Sequence, residues 1–270
     1  MNGLCLIAGQ GRLPEILAAA HPGTHIAAMD GFLPDDLAVR TAFRIETLGS
    51  FLAGLRAEGV TRLCLAGAIR RPAIDPARID AATAPLVPRL MQALKRGDDG
   101  ALRVVLEIVE EAGFAVLAPQ DLLPELLPPA GALGGPAPSA RLLEDARRAW
   151  EVLRTTGPAD IGQGCVVAAG QVLAMEALPG TDWMLASMAA ARGRGPLAAD
   201  LPSGGVFAKA PKPSQDRRVD LPAIGPETVA GAVRAGLDGI VLEAGGVLVL
   251  DRDACRAAAD AAGLALWAAP

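Results

Sequence analysis

The chain has 270 residues, a formal net charge of −5, 51% hydrophobic residues and 3% aromatic ones, with no tyrosine. This acidic, ring-poor composition excludes a general nucleic-acid binder, which needs a basic surface and stacking platforms. No uninterrupted apolar run approaches the roughly 18 residues that a membrane-crossing helix requires, and no basic segment precedes the short apolar run after Met1, so a cytoplasmic protein without a signal peptide is expected.

Strand-like and helix-like segments alternate over the first 120 residues. GLCLIAG (3–9) reads as a buried strand followed by the short helix EILAAA. HIAAMD (25–30) and FRIET (43–47) read as further strands, and the helix LGSFLAGLRAEG leads into the strand-like run VTRLCLAGAI (60–69). A helical stretch over 82–113, interrupted by GDDG, precedes FAVLAP (114–119). Apolar strands joined by crossover helices predict a parallel sheet covered on both faces.

PPAGALGGPAPS (128–139) holds four prolines and three glycines without a charge, the composition of a flexible linker. Ser139 is placed to cap the helix ARLLEDARRAWEVLRTTG, whose Leu142, Leu143, Ala146, Ala149, Trp150 and Leu153 share one face. CVVAAGQVLAMEA (165–177) predicts a hairpin turning at Ala169-Gly170. TDWMLASMAAARGRG reads as a helix, GGVFAKA as a strand and GPETVAGAVRAG as a helix, with Pro226 at its first position and Gly236 at its stop. GIVLEAGGVLVLD (239–251) predicts a second hairpin-like pair through Gly245-Gly246, and a helix from Arg252 and the strand LALWAAP close the chain. The expected architecture is two α/β domains, 1–129 and 139–270, joined by a linker at 130–138. The first is a Rossmann-like parallel sheet and the second a mixed α/β domain, with a ligand cleft expected between them.

Cys5, Cys64, Cys165 and Cys255 are scattered without a CxxC pair, which predicts buried apolar thiols rather than zinc ligands or disulfides. With only His21 and His25 present, any metal would be held by oxygen ligands, favouring Mg²⁺ or Mn²⁺.

Five segments could carry chemistry. In AGQGRLP (8–14), Gly9 and Gly11 are spaced as G-x-G and Asp30 lies 19 positions past Gly11. Pro14 occupies the third glycine position of a dinucleotide fingerprint, which disfavours NAD. The backbone N–H groups of Gln10, Gly11 and Arg12 at a helix start would suit an anion, or the stretch is a tight strand-to-helix turn and nothing more. AGAIRRP (66–72) sets Arg70 and Arg71 just past the end of a predicted central strand, where open α/β sheets bind ligands; ordinary surface cations would look the same. RGDDGAL (96–102) offers Asp98 as a ligand candidate, with Asp99 assigned to the helix N-terminus. MEALPGTDWML (175–185) would bring Glu176 and Asp182 into one pocket, unless Thr181 or Asp182 serves only as a helix cap.

KAPKPSQDRRVDLP (209–222) is the densest of the five, with Lys209, Lys212, Arg217 and Arg218 around Asp216 and Asp220. Pro211, Pro213 and Pro222 stiffen its backbone. Cations that bind phosphate oxygens beside carboxylates that bind Mg²⁺ would serve phosphoanhydride hydrolysis; the other reading is a solvated loop of mutually screened charges.

AGQGRLP, LAGAIRRP, GDDGAL, GQGCVVAAGQVLAMEALPGTDWML and KAPKPSQDRRVDLPAIGPETV, in this order over nearly the whole chain, resemble the LpxI-type UDP-2,3-diacylglucosamine pyrophosphatase family. The resemblance implies a Mg²⁺-dependent hydrolase of Gram-negative lipid A synthesis that yields UMP and 2,3-diacylglucosamine 1-phosphate (lipid X). It implies a catalytic, metal-binding aspartate in QDRRVD, with Asp220 the first choice and Asp216 the second. Gln10, Gly11, Arg12, Ile69, Arg70 and Arg71 would meet the uridine diphosphate end. Asp98, Gln163, Glu176, Asp182, Lys209, Lys212, Gln215 and Arg217 would complete the substrate contacts. One departure is Ser214, where a glycine is expected after KP. An acylated substrate would explain the excess apolar character and bring the protein to the inner-leaflet membrane surface as a peripheral enzyme. An apolar chain of this kind also has surface to hide in a homodimer.

Overall fold

The computed structural model describes residues 3–70, 72–93, 98–194, 198–213 and 215–270, apart from the side chains of 93, 98 and 99. Arg71 and the side chain of Asp98, both candidates above, lie outside the described residues. Two units are formed: Met1–Pro124 with Asp216–Asp220, and Glu125–Gln215 with Leu221–Pro270.

The first unit contains β1 (Leu4–Ala8), α1 (Arg12–Ala20), β2 (His25–Met29), β3 (Thr41–Phe43), α2 (Leu48–Ala57), β4 (Arg62–Ala66), α3 (Val87–Ala93), α4 (Asp98–Glu111), β5 (Ala115–Leu117) and α5 (Pro119–Leu122). Its strands pair in parallel in the order β3-β2-β1-β4-β5. β1 is central and every one of its residues is buried, as a strand covered on both faces must be. Cys5, Ile7, Leu63, Phe51 and Leu55 share one core cluster, in which Phe43 stacks on Phe51 at 4.0 Å between ring centroids. FRIET is not one strand. β3 ends at Phe43 because the Thr47 N–H bonds to the Arg44 carbonyl and the Thr47 hydroxyl accepts from the Arg44 N–H, winding Ile45–Thr47 into a 3₁₀ turn.

The second unit contains β6 (Gly131–Gly134), α6 (Ala140–Thr156), β7 (Gly164–Ala168), β8 (Gln171–Met175), α7 (Gly180–Arg194), β9 (Val206–Lys209), β10 (Ala223–Ile224), α8 (Pro226–Arg234), β11 (Gly239–Glu243), β12 (Leu248–Val249), α9 (Arg252–Ala262) and β13 (Ala265–Ala269). Six strands form a mixed sheet in the order β6-β13-β11-β9-β7-β8, with β9, β11 and β13 mutually parallel. The fold is therefore two α/β units, one on a parallel sheet and one on a mixed sheet.

Two expectations are corrected here. The Pro/Gly-rich stretch expected as a flexible linker carries β6, paired antiparallel to β13, so its backbone groups are used in the sheet. The second hairpin does not form. Both edges of β11 are taken by β9 and β13, and the chain beyond Gly245-Gly246 instead enters β12, which pairs in parallel with β10.

The first hairpin forms as expected, β7 against β8. Ser139 caps α6 by accepting from the Leu142 N–H at 3.2 Å. Of the apolar face read from α6, Leu142, Ala146, Ala149 and Leu153 are buried, whereas Leu143 is exposed. Asp145, on α6 and 2% exposed, accepts from the Ala169 N–H at 3.2 Å and the Gly170 N–H at 2.7 Å. This carboxylate clamps the β7–β8 turn, in which Ala169 adopts φ 51°. All four cysteines are buried and free, and burial pushes the thiols of Cys5, Cys64 and Cys165 up to about 12.

Removing the Asp145 clamp orphans two turn donors. Asp145→Ala is expected to lower unfolding stability by about 1–3 kcal/mol in urea titration, whereas Leu143→Glu on the exposed side of the same helix should stay within about 0.5 kcal/mol of the parent.

Candidate active site

In the first unit the strand order reverses at β1. β1 pairs with β2 on one side and β4 on the other, so the loops leaving β1 and β4 diverge at the C-terminal edge of the sheet. Such a switch point is the ligand-binding crevice of open α/β sheets. The two loops singled out from the sequence meet there. Gln10 and Ala68 exchange backbone hydrogen bonds of 3.0 and 2.9 Å, and the Gly9 N–H bonds to the Ala66 carbonyl at 2.8 Å.

This crossing explains the glycines and the proline together. A Cβ on Gly9 would fall 2.7 Å from the Ala68 carbonyl oxygen. Gly67 adopts φ 90°, and a Cβ there would fall 2.7 Å from Cγ of Pro14. The close approach that a third glycine provides in a dinucleotide fold is thus provided from the opposite loop, and Pro14 packs buried against Gly67. Gln10, Gly11, Arg12, Ile69 and Arg70 remain exposed along the rim. Gly11 precedes α1 without a side-chain cap, so the first N–H groups of that helix are not spent on one. Arg12 pairs with Glu15 at 3.3 Å in an exposed contact.

The segment Asp216–Asp220 belongs to this unit. Arg218 grips Asp216 through its backbone N–H at 3.0 Å, Nε at 3.0 Å and Nη2 at 2.8 Å, and reaches Glu110 of α4 through Nη1 at 2.5 Å. These Arg218 hydrogen bonds hold the Asp216 carboxyl below its ordinary value, with Arg103 adding to the effect. The Arg217 carbonyl accepts from Gln120 at 2.9 Å while the Arg217 side chain is exposed. Asp220 is half-buried, and its N–H closes a turn onto the Asp216 carbonyl at 3.0 Å.

In the second unit the C-terminal ends of β9 and β11 lie beside the start of β7 and the end of β8. Lys209 ends β9 and is 4% exposed. Its ammonium lies 3.4 Å from Glu176 Oε2 and donates to the Thr181 hydroxyl, which itself donates to the same Glu176 oxygen at 2.9 Å. Lys209 Nζ also lies 5.9 Å from the Phe207 ring centroid, within cation–π range. Burial pushes the Lys209 pKa below its ordinary 10.5, with Glu176 opposing that shift. Gly164 makes the room: a Cβ there would fall 2.8 Å from Glu176 Oε2 and 2.6 Å from the Phe207 ring.

Beside this triad, Gln215 Oε1 accepts from Gln163 Nε2 at 2.6 Å and from the Lys212 N–H at 3.0 Å. The Lys212 ammonium pairs with Asp160, which adopts φ 59°. The Ala210 N–H bonds to the Gln163 carbonyl at 2.9 Å, tying the two groups together. Asp182 is exposed in the first turn of α7 and acts on Lys209 only through its charge. Thr181, not Asp182, shares the buried site with Glu176. Thr181, Asp160, Arg103 and Glu110 are the participants that sequence reasoning missed as site members. Only Thr181 carried a signal, as a hydroxyl placed at a helix start.

Thr181→Val keeps the shape but strips the hydroxyl that joins Lys209 to Glu176. It is expected to cost about 1–3 kcal/mol of stability, with Thr181→Ser near the parent, both read by urea titration. For Asp216 the lowered pKa fixes the sign. Its contribution to stability is fully present above 3.8 and is lost as pH falls through the lower folded-state value. Acid titration should therefore show a stability slope below pH 3.8 that Asp216→Asn reduces.

Family models match almost the whole chain: the LpxI N-terminal domain over residues 3–126 and the LpxI C-terminal domain over residues 129–267. The curated UDP-2,3-diacylglucosamine pyrophosphatase LpxI of Caulobacter vibrioides is 42% identical over 274 aligned residues, covering 98% of this chain and 96% of that protein. With both domain models matched in order on the two halves of the chain, the protein belongs to the LpxI family.

Proposed function

We propose that this protein hydrolyses the diphosphate of UDP-2,3-diacylglucosamine, releasing UMP and 2,3-diacylglucosamine 1-phosphate for lipid A synthesis. The observation that carries the reading is the alignment of both halves with a pyrophosphatase of that name, at 42% identity over 98% of the chain. The site geometry supports it. A diphosphate needs oriented N–H donors and cations, and the switch point presents the start of α1 beside Arg12 and Arg70. Water adds to one phosphorus while the bridging oxygen leaves with the other, so one proton must be accepted and the departing charge neutralised. Asp220 is the residue assigned to orient that water or to carry the metal, as the first choice within QDRRVD, with Asp216, which Arg218 holds on both oxygens, as the second.

Among the described residues, no three His, Cys, Asp or Glu groups converge as a metal cage. The donor set still fits Mg²⁺, which is commonly held by one or two carboxylates with substrate phosphates and water completing its shell. Asp220 would hold it, and Asp216 would join on releasing Arg218; Mn²⁺ shares the oxygen preference. When bound, the ion would offset phosphate charge and polarise water. Lys212, Gln215 and Gln163 form a pre-ordered polar group suited to phosphate and sugar oxygens. Lys209, Glu176 and Thr181 hold the loop that presents it.

No helix among the described residues is long and apolar enough to cross a membrane. Contact with the bilayer that holds the acylated substrate is peripheral in this reading.

Asp220→Ala is expected to lower kcat by about 10²–10³-fold while the nucleotide-sugar still protects the variant against thermal unfolding. UMP release by the parent should stop with EDTA and return with Mg²⁺. Wild-type turnover by the variant would remove Asp220 from the mechanism, and ligand protection without any UMP release would make the protein a binder rather than an enzyme.

A further inference from the structure

A cavity of about 240 Å³ in the first unit is used by none of the residues placed above. Ile45, just past β3, Ile74 and Ile79 from the connection after β4, and Val87, Leu90 and Met91 of α3 contribute to its lining. The connection after β4 must cross three strand spacings, about 14 Å, to reach the end of β3. It is held there by bonds from the Asp80 N–H to the Glu46 carbonyl at 3.1 Å and from the Gly49 N–H to the Thr83 hydroxyl at 2.9 Å. The cavity therefore lies on the same C-terminal edge of the sheet as the switch-point loops.

Its exposed wall is carbon throughout, although a glutamate and a threonine contribute to it. The Glu46 Oε1 atom and the Thr83 hydroxyl are held by the protein, while Glu46 Oε2 is buried without a hydrogen-bond partner. Glu46 Oε1 accepts from the Asp75 N–H at 2.8 Å and from Arg44 at 3.0 Å, and the Thr83 hydroxyl serves Gly49. Burial opposes ionisation of Glu46, but these donors together hold its carboxyl below the ordinary value. A carbon-walled space of this size, larger than the roughly 150 Å³ that accommodates benzene in an apolar cavity, suits a hydrocarbon ligand. Ile74 and Ile79 are half-buried and Met91 is 48% exposed, so the space is open to an entering chain.

We propose that this cavity receives the end of one acyl chain of the substrate and so measures acyl length. The proposal rests on the hydrolase reading, which supplies a doubly acylated ligand. It places the chain inside the first unit, on residues other than those of the diphosphate loops and the aspartates.

The test is a series of UDP-diacylglucosamines with acyl chains shortened stepwise to acetyl, assayed with the parent and with Ile79→Trp, which fills the cavity. For the parent, kcat/KM should fall about fourfold per methylene lost from the cavity, the value of burying one methylene. Ile79→Trp should flatten that dependence while its kcat/KM on the diacetyl substrate matches the parent, which also shows that it is folded. Met91→Glu, which sets a charge among the lining residues, should act alike. Equal loss on long and diacetyl substrates, or an unchanged chain-length dependence, would overturn the proposal, as would conversion of a dimer to monomers by Ile79→Trp, which would make a second copy the occupant. Fluorescence enhancement of a polyene fatty acid, lost in Ile79→Trp, reads the cavity without turnover. Polyene binding without UMP release would sink the hydrolase and keep the cavity; UMP release without polyene binding would do the reverse.

Discussion

Taking an ammonium out of water costs several kcal/mol unless partners replace the lost hydration. Lys209 is almost wholly buried, so the second unit is organised around supplying those partners. Glu176 comes from the end of β8, Thr181 from the start of α7 and the Phe207 ring from the same strand as the lysine. Gly164 on β7 must lack a side chain for the carboxylate and the ring to fit. Four elements are thereby pinned at one sheet edge, and the proline-braced loop that follows Lys209 starts from a rigid anchor. Pro211 approaches Gly246 and Pro213 approaches Gly157, so the loop is braced by packing as well as by its own restricted angles.

The first unit applies the same economy to a different group. Its crevice depends on two loops crossing with almost no space between their backbones, and Gly9, Gly67 and Pro14 are the residues that permit it. The rim residues are left exposed, with Gln10, Arg12 and Arg70 supplying polar groups. The Asp216–Asp220 segment of the same unit is ordered by Arg218, whose guanidinium holds Asp216 and Glu110.

Much of this was legible in one dimension. The G-x-G turn and the AGAIRRP loop each follow an apolar strand, and those strands, β1 and β4, are neighbours in the sheet, so the two loops meet. The density of charge between prolines singled out 209–222. What was missed came from pairing. FRIET looked like a strand by composition, yet one threonine hydroxyl closes it into a turn. The stretch 239–251 looked like a hairpin by its Gly-Gly, yet β11 already had two neighbours. The Pro/Gly stretch at 128–139 looked like a tether, yet β13 offered an unpaired edge for it to join.

The sequence by itself determined the apolar strands, the helix starts and the burial of the four cysteines, because each follows from local composition and spacing. Tertiary structure decided which strand lies beside which, that Thr181 rather than Asp182 shares the pocket with Glu176, and that Asp216 is gripped by Arg218. It alone tied Glu46 Oε1 and the Thr83 hydroxyl to backbone N–H groups beside a carbon-lined cavity. Such outcomes depend on contacts between residues tens of positions apart, where geometry and desolvation, not local preference, select the partner.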